Sequence, residues 1–274
     1  MSAKPTDSLP GHKLPAETQS GFRLEIRVFF TALMFLTRLP VPKYTDHQPE
    51  YLQKSPRYFP WVGLIVGGLC ALAFAACRQL FPVDLALVVS MLTGIMVTGA
   101  FHEDGFADVC DGFGGGWTKE KILLIMKDSR LGTFGVVGLI GILGLKFLLL
   151  QLLPEAHWAA LLLLAHAGSR FCAMGVMQFF PYATDVEASK SREATGERLG
   201  KKGWIIATAA LLVPFFVLPK VFSLSLIPAA LGAYVLARYF KRWIGGYTGD
   251  CLGAIQQVTE ILFYASFYII WQHT

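Results

Sequence analysis

The sequence predicts an all-α fold, a polytopic integral membrane helix bundle. Three observations predict it. Hydrophobic residues make up 54% of the chain and charged residues only 16%, where a soluble domain is usually about one quarter charged. The apolar residues gather into seven runs, each close to the ~20 residues a helix needs to cross the hydrocarbon. The basic residues gather into alternate connections between those runs, as the positive-inside rule requires. A mean hydropathy of +0.51 excludes an ordinary soluble enzyme, and the same composition excludes disordered, collagenous and coiled-coil chains.

From the N-terminus, residues 1–21 are polar, hold Pro5, Pro10 and Pro15, and lack the apolar core of a signal peptide. They read as a disordered cytoplasmic tail, ahead of a single membrane-embedded catalytic domain over 22–274. Segment 24–39 mixes Glu25, Arg27 and Arg38 with Val28, Phe29, Phe30 and Leu33. Charged ends around a short apolar middle predict an interfacial or re-entrant helix. The seven spans fall at about 59–80, 83–101, 133–153, 156–180, 204–222, 224–240 and 251–271. Phe81–Pro82, Pro154–Glu155 and Phe222–Ser223 make tiny turns on one side. The long connections on the other side, with the N-terminal segment, hold 20 of the 24 Lys and Arg residues. Those connections are therefore cytoplasmic and the C-terminus is outside. The net charge of +5 reports this topology and not nucleic-acid binding. Cys70, Cys77, Cys110, Cys172 and Cys251 form no CxxC pair, so neither a zinc knuckle nor a disulfide framework is indicated.

The most informative stretch runs from Gly99 to Gly116, where an apolar span meets the cytoplasm. It holds Glu103, Asp104, Asp108 and Asp111. Asp104, Asp108 and Asp111 are spaced i, i+4, i+7, so on a helix they share one face. Carboxylates gathered in this way repel one another unless a cation compensates. Oxygen ligands with no cysteine pair suit a hard cation, Mg²⁺ or Mn²⁺. A solvated acidic helix end is the plainer alternative. Gly112 and Gly114 to Gly116 end the helix. His102 alone is a weak signal, since a helix-end histidine is more often structural.

Downstream, Lys127-Asp128-Ser129-Arg130 supplies two cations for phosphate oxygens. Gly132 and Gly135 expose backbone N–H groups at the start of the next span, a site suited to an anion. An ordinary positive-inside anchor explains the cations equally well. A third patch, Arg238 to Asp250, is rich in glycine and delivers Asp250 to a helix start, where an aspartate is normally an N-cap. Arg170 lies inside a span and must pair, with the acidic face or with a substrate phosphate. Lys146 also falls mid-span, but its long stem can snorkel, and it is given no role.

With these residues in view, His102-Glu-Asp-Gly-Phe-Ala-Asp-Val-Cys-Asp-Gly112, Lys127-Asp-Ser-Arg-Leu-Gly-Thr-Phe-Gly135 and Tyr247-Thr-Gly-Asp-Cys-Leu-Gly-Ala254 resemble the signatures of the cobalamin synthase family, the adenosylcobinamide-GDP ribazoletransferases. Phe35 to Pro42 and Tyr58 to Gly63 are similar to the family's usual opening. The resemblance covers nearly all of the chain beyond its tail. It implies a Mg²⁺-dependent transfer in the cytoplasmic (inner) membrane of a bacterium. A ribose hydroxyl of α-ribazole, or of its 5′-phosphate, attacks the cobinamide-side phosphate of adenosylcobinamide-GDP. GMP leaves, and adenosylcobalamin or its 5′-phosphate forms. The lipid bilayer is the other partner, and the resemblance admits a homo-oligomer or a complex with other late cobalamin-pathway enzymes.

On this reading Asp104, Asp108 and Asp111 hold metal, with Glu103 as an accessory ligand. Lys127, Arg130 and Arg170 meet phosphate, and Ser129, Gly132 and Arg238 complete the substrate site. Asp250 completes the metal shell or takes the nucleophile's proton, and the general base is left open among Asp250, Asp128 and His102. The acidic face also loosely resembles the Asp-rich signature of CDP-alcohol phosphotransferases. That pattern, D-x-x-D-G-x-x-A-R followed by two further Asp at i+4 spacing, is not met here, so its roles do not transfer. A phosphotransferase with a CDP-activated donor and a transporter are the competing readings. Against the transporter, the charges concentrate at one interface and not at the bilayer midplane.

Overall fold

Hydrocarbon offers no partner to a backbone N–H or C=O, so an apolar segment must satisfy both internally, and it does so as a helix. The computed structural model describes residues 21–43, 45, 48–183, 198–216 and 220–273, and these are helical apart from short connections. In order they form α1 (Phe22–Leu36), α2 (Pro49–Lys54), α3 (Phe59–Arg78), α4 (Val83–Thr98), α5 (Phe101–Gly115), α6 (Lys119–Met126), α7 (Thr133–Leu152), α8 (Trp158–Phe179), α9 (Lys201–Leu212), α10 (Leu226–Ile244) and α11 (Gly249–Gln272). The expected tail at 1–20 lies outside the described residues, as does most of the basic connection between α8 and α9.

The core is built on α11. It packs against α5, α7, α8 and α10, while α3 runs along both α8 and α4. Its buried residues include Ile255, Phe263, Tyr264 and Phe267. In contrast, α7 turns Val137, Ile140 and Leu148 outward, and α10 does the same with Ile227, Leu231 and Val235. Apolar side chains on that scale facing away from a protein core are what lipid contact produces. The molecule is a polytopic helical membrane protein.

The seven expected crossings are not matched one for one. Among the described residues four helices are long and apolar enough to cross, Pro49–Arg78, Thr133–Leu152, Glu155–Phe179 and Ser223–Ile244, or five if α4 and α5 together count as one broken span. Three expected segments depart for identifiable reasons. The 204–222 run stops as a regular helix at Leu212 and passes into a 3₁₀ turn at Pro214–Phe216, because a proline donates no N–H and breaks the ladder. The 83–101 run ends at Thr98, and α5 leaves at 88° to α4. The 251–271 run is one continuous helix, but its inward face carries Gln256, Gln257 and Glu260, which lowers its hydropathy.

Helix α1 has 15 residues, about 22 Å of rise against a hydrocarbon of about 30 Å. It buries one stripe, Val28, Thr31, Ala32, Leu33 and Leu36, which is the behaviour of a short one-sided helix. Glu25 ties it down, accepting from the Tyr58 hydroxyl at 2.8 Å and the Lys202 ammonium at 2.7 Å, with the Arg57 guanidinium at 3.0 Å.

The bend between α4 and α5 positions everything that follows. Gly99 (φ 67°) and Ala100 (φ 58°) both adopt the left-handed conformation, and the Ala100 N–H reaches back to the Ile95 carbonyl at 2.8 Å. The Arg38 guanidinium lies where a Gly99 Cβ would stand, and the Arg38 N–H donates to the Val97 carbonyl at 2.8 Å. Gly99→Val therefore meets both a disfavoured φ and a clash. It is expected to destabilise the detergent-purified protein by about 1–2 kcal/mol or more, read as a lower melting temperature. An unchanged melting temperature would show that the bend does not need glycine.

Candidate active site

Helices α5 and α11 meet at van der Waals distance of backbone from backbone. A Cβ added to Gly105 would lie 2.8 Å from the Asp250 Cα, and one added to Gly253 would lie 3.0 Å from the His102 carbonyl oxygen. Small residues at a crossing allow this approach between membrane helices. The crossing has a chemical consequence: Asp104 and Asp108 of α5 come up against Asp250 in the first turn of α11. Thr248 caps α11, its Oγ1 accepting from the Cys251 N–H at 3.2 Å and donating to Asp250 Oδ2 at 3.3 Å.

Asp104 is exposed, while Asp108 and Asp250 are half-buried. Partial burial, then the charges of Asp250, Asp104 and Asp111, push the Asp108 carboxyl up to about 7. Burial and the Asp104 charge, against the opposing Thr248 hydrogen bond, push Asp250 up to about 6. Three carboxylates held against mutual repulsion form a locus whose charge is relieved by a proton or a cation.

Asp111, the third member of the expected face, has a different occupation. Its two oxygens accept the Gly132 N–H at 2.7 Å and the Gly135 N–H at 2.8 Å. The anion at the start of α7 is therefore this carboxylate, and the Gly132 N–H is already used. Among the exposed residues beyond α6, Arg130 grips Asp128 with Nε at 3.0 and 3.1 Å and an Nη at 2.6 Å. That guanidinium holds Asp128 down to about 2, which leaves it a weak base at neutral pH. Lys127 and Ser129 are exposed beside this pair. Arg238 is exposed on α10, its guanidinium 5.9 Å from the centre of the Tyr234 ring one turn earlier. No hydrogen bond or ion pair among the described residues joins Lys127, Arg130 or Arg238 to the three carboxylates.

His102 and Glu103, on the same helix as Asp104, point the other way into the bundle. Glu103 accepts from Gln257 Nε2 at 2.8 Å. Gln257 in turn donates to Gln256, which donates to Glu260 at 2.8 Å. Glu260 is the hub, taking Lys146 Nζ at 3.1 Å and the Tyr264 hydroxyl at 3.2 Å, with His166 Nε2 at 3.9 Å. Lys146 does not snorkel: it is 7% exposed and ion-paired inside the protein. Arg170 meets neither the acidic face nor an open phosphate site. It is 2% exposed, donates to the His166 carbonyl at 3.0 Å and lies in the field of Glu260 and Glu103. Two cations balance two carboxylates, and two buried atoms, Glu103 Oε2 and Arg170 Nε, are left without a hydrogen-bond partner.

The model of the family described as cobalamin-5-phosphate synthase matches residues 28–268. The chain belongs to that family. Proteins named adenosylcobinamide-GDP ribazoletransferase are similar along nearly their whole length. The one from Leptospira interrogans is 40% identical over 89% of this chain and 95% of its own. The Shewanella oneidensis protein is 41% identical over 88% and 93%, and the Vibrio parahaemolyticus protein 39% over 93% and 97%. No solved structure matches the chain.

Membership makes the chain a transferase of cobalamin biosynthesis, and the geometry sorts the residues of the cobalamin synthase signatures. The crossing unites Asp104, Asp108 and Asp250. Asp111, Gly132 and Gly135 join α5 to α7. Glu103, His102 and Arg170 belong to the interior network with Lys146, His166, Gln256, Gln257 and Glu260. A signal for that network exists in the sequence, because Lys146 and Arg170 inside spans demand counter-charge. The only acid in the last span is Glu260. Among the described residues no three His, Cys, Asp or Glu side chains enclose a metal ion. The donor set nevertheless fits a divalent cation of the Mg²⁺ kind, which is usually held by one or two carboxylates and completed by water and substrate phosphates.

A pH dependence follows. The folded-state value of Asp108, about 7 against an ordinary 3.8, means that the folded protein holds this proton more tightly than the unfolded chain. Its stabilising proton is present at low pH and lost as pH rises through that window. In metal-free buffer the melting temperature of the wild type is expected to fall from about pH 5 to about pH 8, with a shallower fall in Asp108→Asn. Identical pH profiles for the two proteins would contradict the assigned repulsion.

Proposed function

We propose that the chain joins adenosylcobinamide-GDP to α-ribazole or its 5′-phosphate, releasing GMP and forming adenosylcobalamin or its 5′-phosphate. We place this reaction on the cytoplasmic face of a bacterial inner membrane, where the basic connections lie and from which the C-terminus is opposite. The observation that carries the reading is the meeting of Asp104, Asp108 and Asp250 at the α5–α11 crossing, in a chain whose relatives bear the name of that transfer. Breaking a diphosphate requires charge to be neutralised on the phosphates and a proton to be taken from the attacking hydroxyl.

Mg²⁺, with Mn²⁺ as a substitute, would be held by one or two of Asp104, Asp108 and Asp250 together with the substrate phosphates, and when bound supplies charge neutralisation at the diphosphate. The side chains do the rest. Lys127 and Arg130 stand exposed near the start of α7, and Arg130 can exchange Asp128 for a phosphate in the same two-pronged geometry. Ser129 adds a hydroxyl donor there, and Arg238 a cation on α10. Asp250, raised to about 6, is a better acceptor for the ribose proton than Asp128 at about 2, since a base works best near the operating pH. His102 lies inside among cations and is poorly placed for that role. Asp111 and Glu103 position α5, the first by fastening it to α7 and the second by fastening it to α11.

The test is GMP release by the purified protein given both substrates, with Mg²⁺ and then with EDTA. Release is expected with metal and not without it, together with a corrinoid product. Asp108→Asn is expected to lower kcat by at least about 10²-fold while remaining in the membrane fraction. GMP release that survives both EDTA and Asp108→Asn would overturn the metal assignment.

A further inference from the structure

Away from the crossing, the second half of α8, the first turn of α9 and the middle of α10 enclose a groove of about 260 Å³. We propose that this groove seats an acyl chain of an acidic phospholipid, whose phosphate meets Lys201 and Arg238 at one end. Five rings line it. Trp204 lies edge-on to Phe171 at 6.0 Å and tilted against Phe179 at 5.8 Å, and Phe180 meets Tyr234 edge-on at 6.1 Å. Of the lining side chains only Cys172, Trp204 and Tyr234 carry a polar atom. A polar ligand would leave most of its groups unpaired there, whereas methylenes need no partner. Phe179 and Tyr234 are 73% and 51% exposed, so the groove opens at the surface, beside the outward-facing Leu231 of α10.

The groove has a charged end and an apolar end. Helices α8 and α10 run in the same direction: a Cβ on Gly168 would lie 2.9 Å from the Leu226 side chain, and Phe180 meets Tyr234. Helix α9 runs against them, its start held by the Leu199 N–H, which donates to Gln178 Oε1 at 2.7 Å. One end of the groove therefore lies where α8 finishes and α9 begins, and the other, at Phe171 and Ala230, lies within the spans. Both cations stand at the first end. Arg238 follows Tyr234 by one turn, donates to its hydroxyl at 3.4 Å and sets the guanidinium 5.9 Å from the ring centre. Lys201 precedes Trp204 by one turn and is exposed. No ion pair among the described residues holds either. A phospholipid has this same polarity: aromatic side chains mark the level of its headgroup, and cations between helices attract the acidic ones.

The proposal stands apart from the reaction, except that it gives Arg238 a second anion, so the test turns on Lys201 and the lining. The full chain is placed in mixed vesicles of phosphatidylcholine and phosphatidylglycerol, with bromine on the acyl chains of one lipid or of the other. Bromine quenches the fluorescence of a tryptophan it touches, and the difference between wild type and Trp204→Phe isolates the Trp204 signal. That signal is expected to be quenched by brominated phosphatidylglycerol with a preference of about fivefold over brominated phosphatidylcholine, and Lys201→Gln is expected to lower the preference by at least about twofold. A Cβ on Gly175, which lines the groove, meets no atom within 4 Å. Gly175→Phe therefore fills the groove and is expected to abolish the preference, and Ala230→Phe does so from α10 should the first variant fail to fold. Equal quenching by the two lipids would mean contact with bulk lipid only and would overturn the proposal. A preference that survives both filled variants would do the same, as would quenching that adenosylcobinamide-GDP relieves, which would give the groove to the substrate.

Discussion

The close crossing of α5 and α11 is the constraint on which the rest depends. Because Gly105 meets the Asp250 backbone and Gly253 meets that of His102, the two helices cannot slide or rotate without collision. That contact divides α5 into two chemistries one residue apart. Asp104 is exposed and Asp108 half-buried beside Asp250, while His102 and Glu103 look into the bundle. The 88° departure from α4 is what lays α5 across α11 in the first place, and the left-handed pair at Gly99 and Ala100 makes that departure.

The interior network serves the crossing from below. An ion pair taken out of water loses much of its hydration energy, so a buried pair is rarely retained for stability alone. Here Glu260 joins Lys146 of α7, His166 of α8 and, through Gln256 and Gln257, Glu103 of α5 to α11. Each of these groups requires the others in place, which fixes the rotation of four helices at once. Asp111 adds a separate fastening between α5 and the first turn of α7. The carboxylate cluster thus stands on a frame that resists its own repulsion.

Much of this was legible in the sequence, and the rest was hidden for physical reasons. The all-α membrane class follows from composition and apolar runs. The facing of Asp104 and Asp108 follows from their spacing of four, and Asp250 could be placed at a helix start from the glycines before it. Spacing alone could not separate Asp111 from its neighbours, because its partners, Gly132 and Gly135, are 21 and 24 residues away in the chain. Glu103 adjoins Asp104 in sequence, yet adjacent residues on a helix are about 100° apart. Glu260 was concealed inside an apolar run, and Lys146 read as a snorkelling residue until its partner was seen. The apolar runs do not map one for one onto long helices where a proline or a turn interrupts them, since hydropathy measures solubility in lipid and not continuity of the helix.

The central claim is that Asp108 and Asp250, from two helices, act as one unit. A double-mutant cycle on kcat/KM tests it most directly, comparing Asp108→Asn, Asp250→Asn and the pair against wild type. Residues that act together lose little more when both are changed than when one is. The account predicts a double variant about as impaired as the worse single variant. Losses that simply add would contradict it, and would mean that the crossing brings the two carboxylates near each other without a shared task.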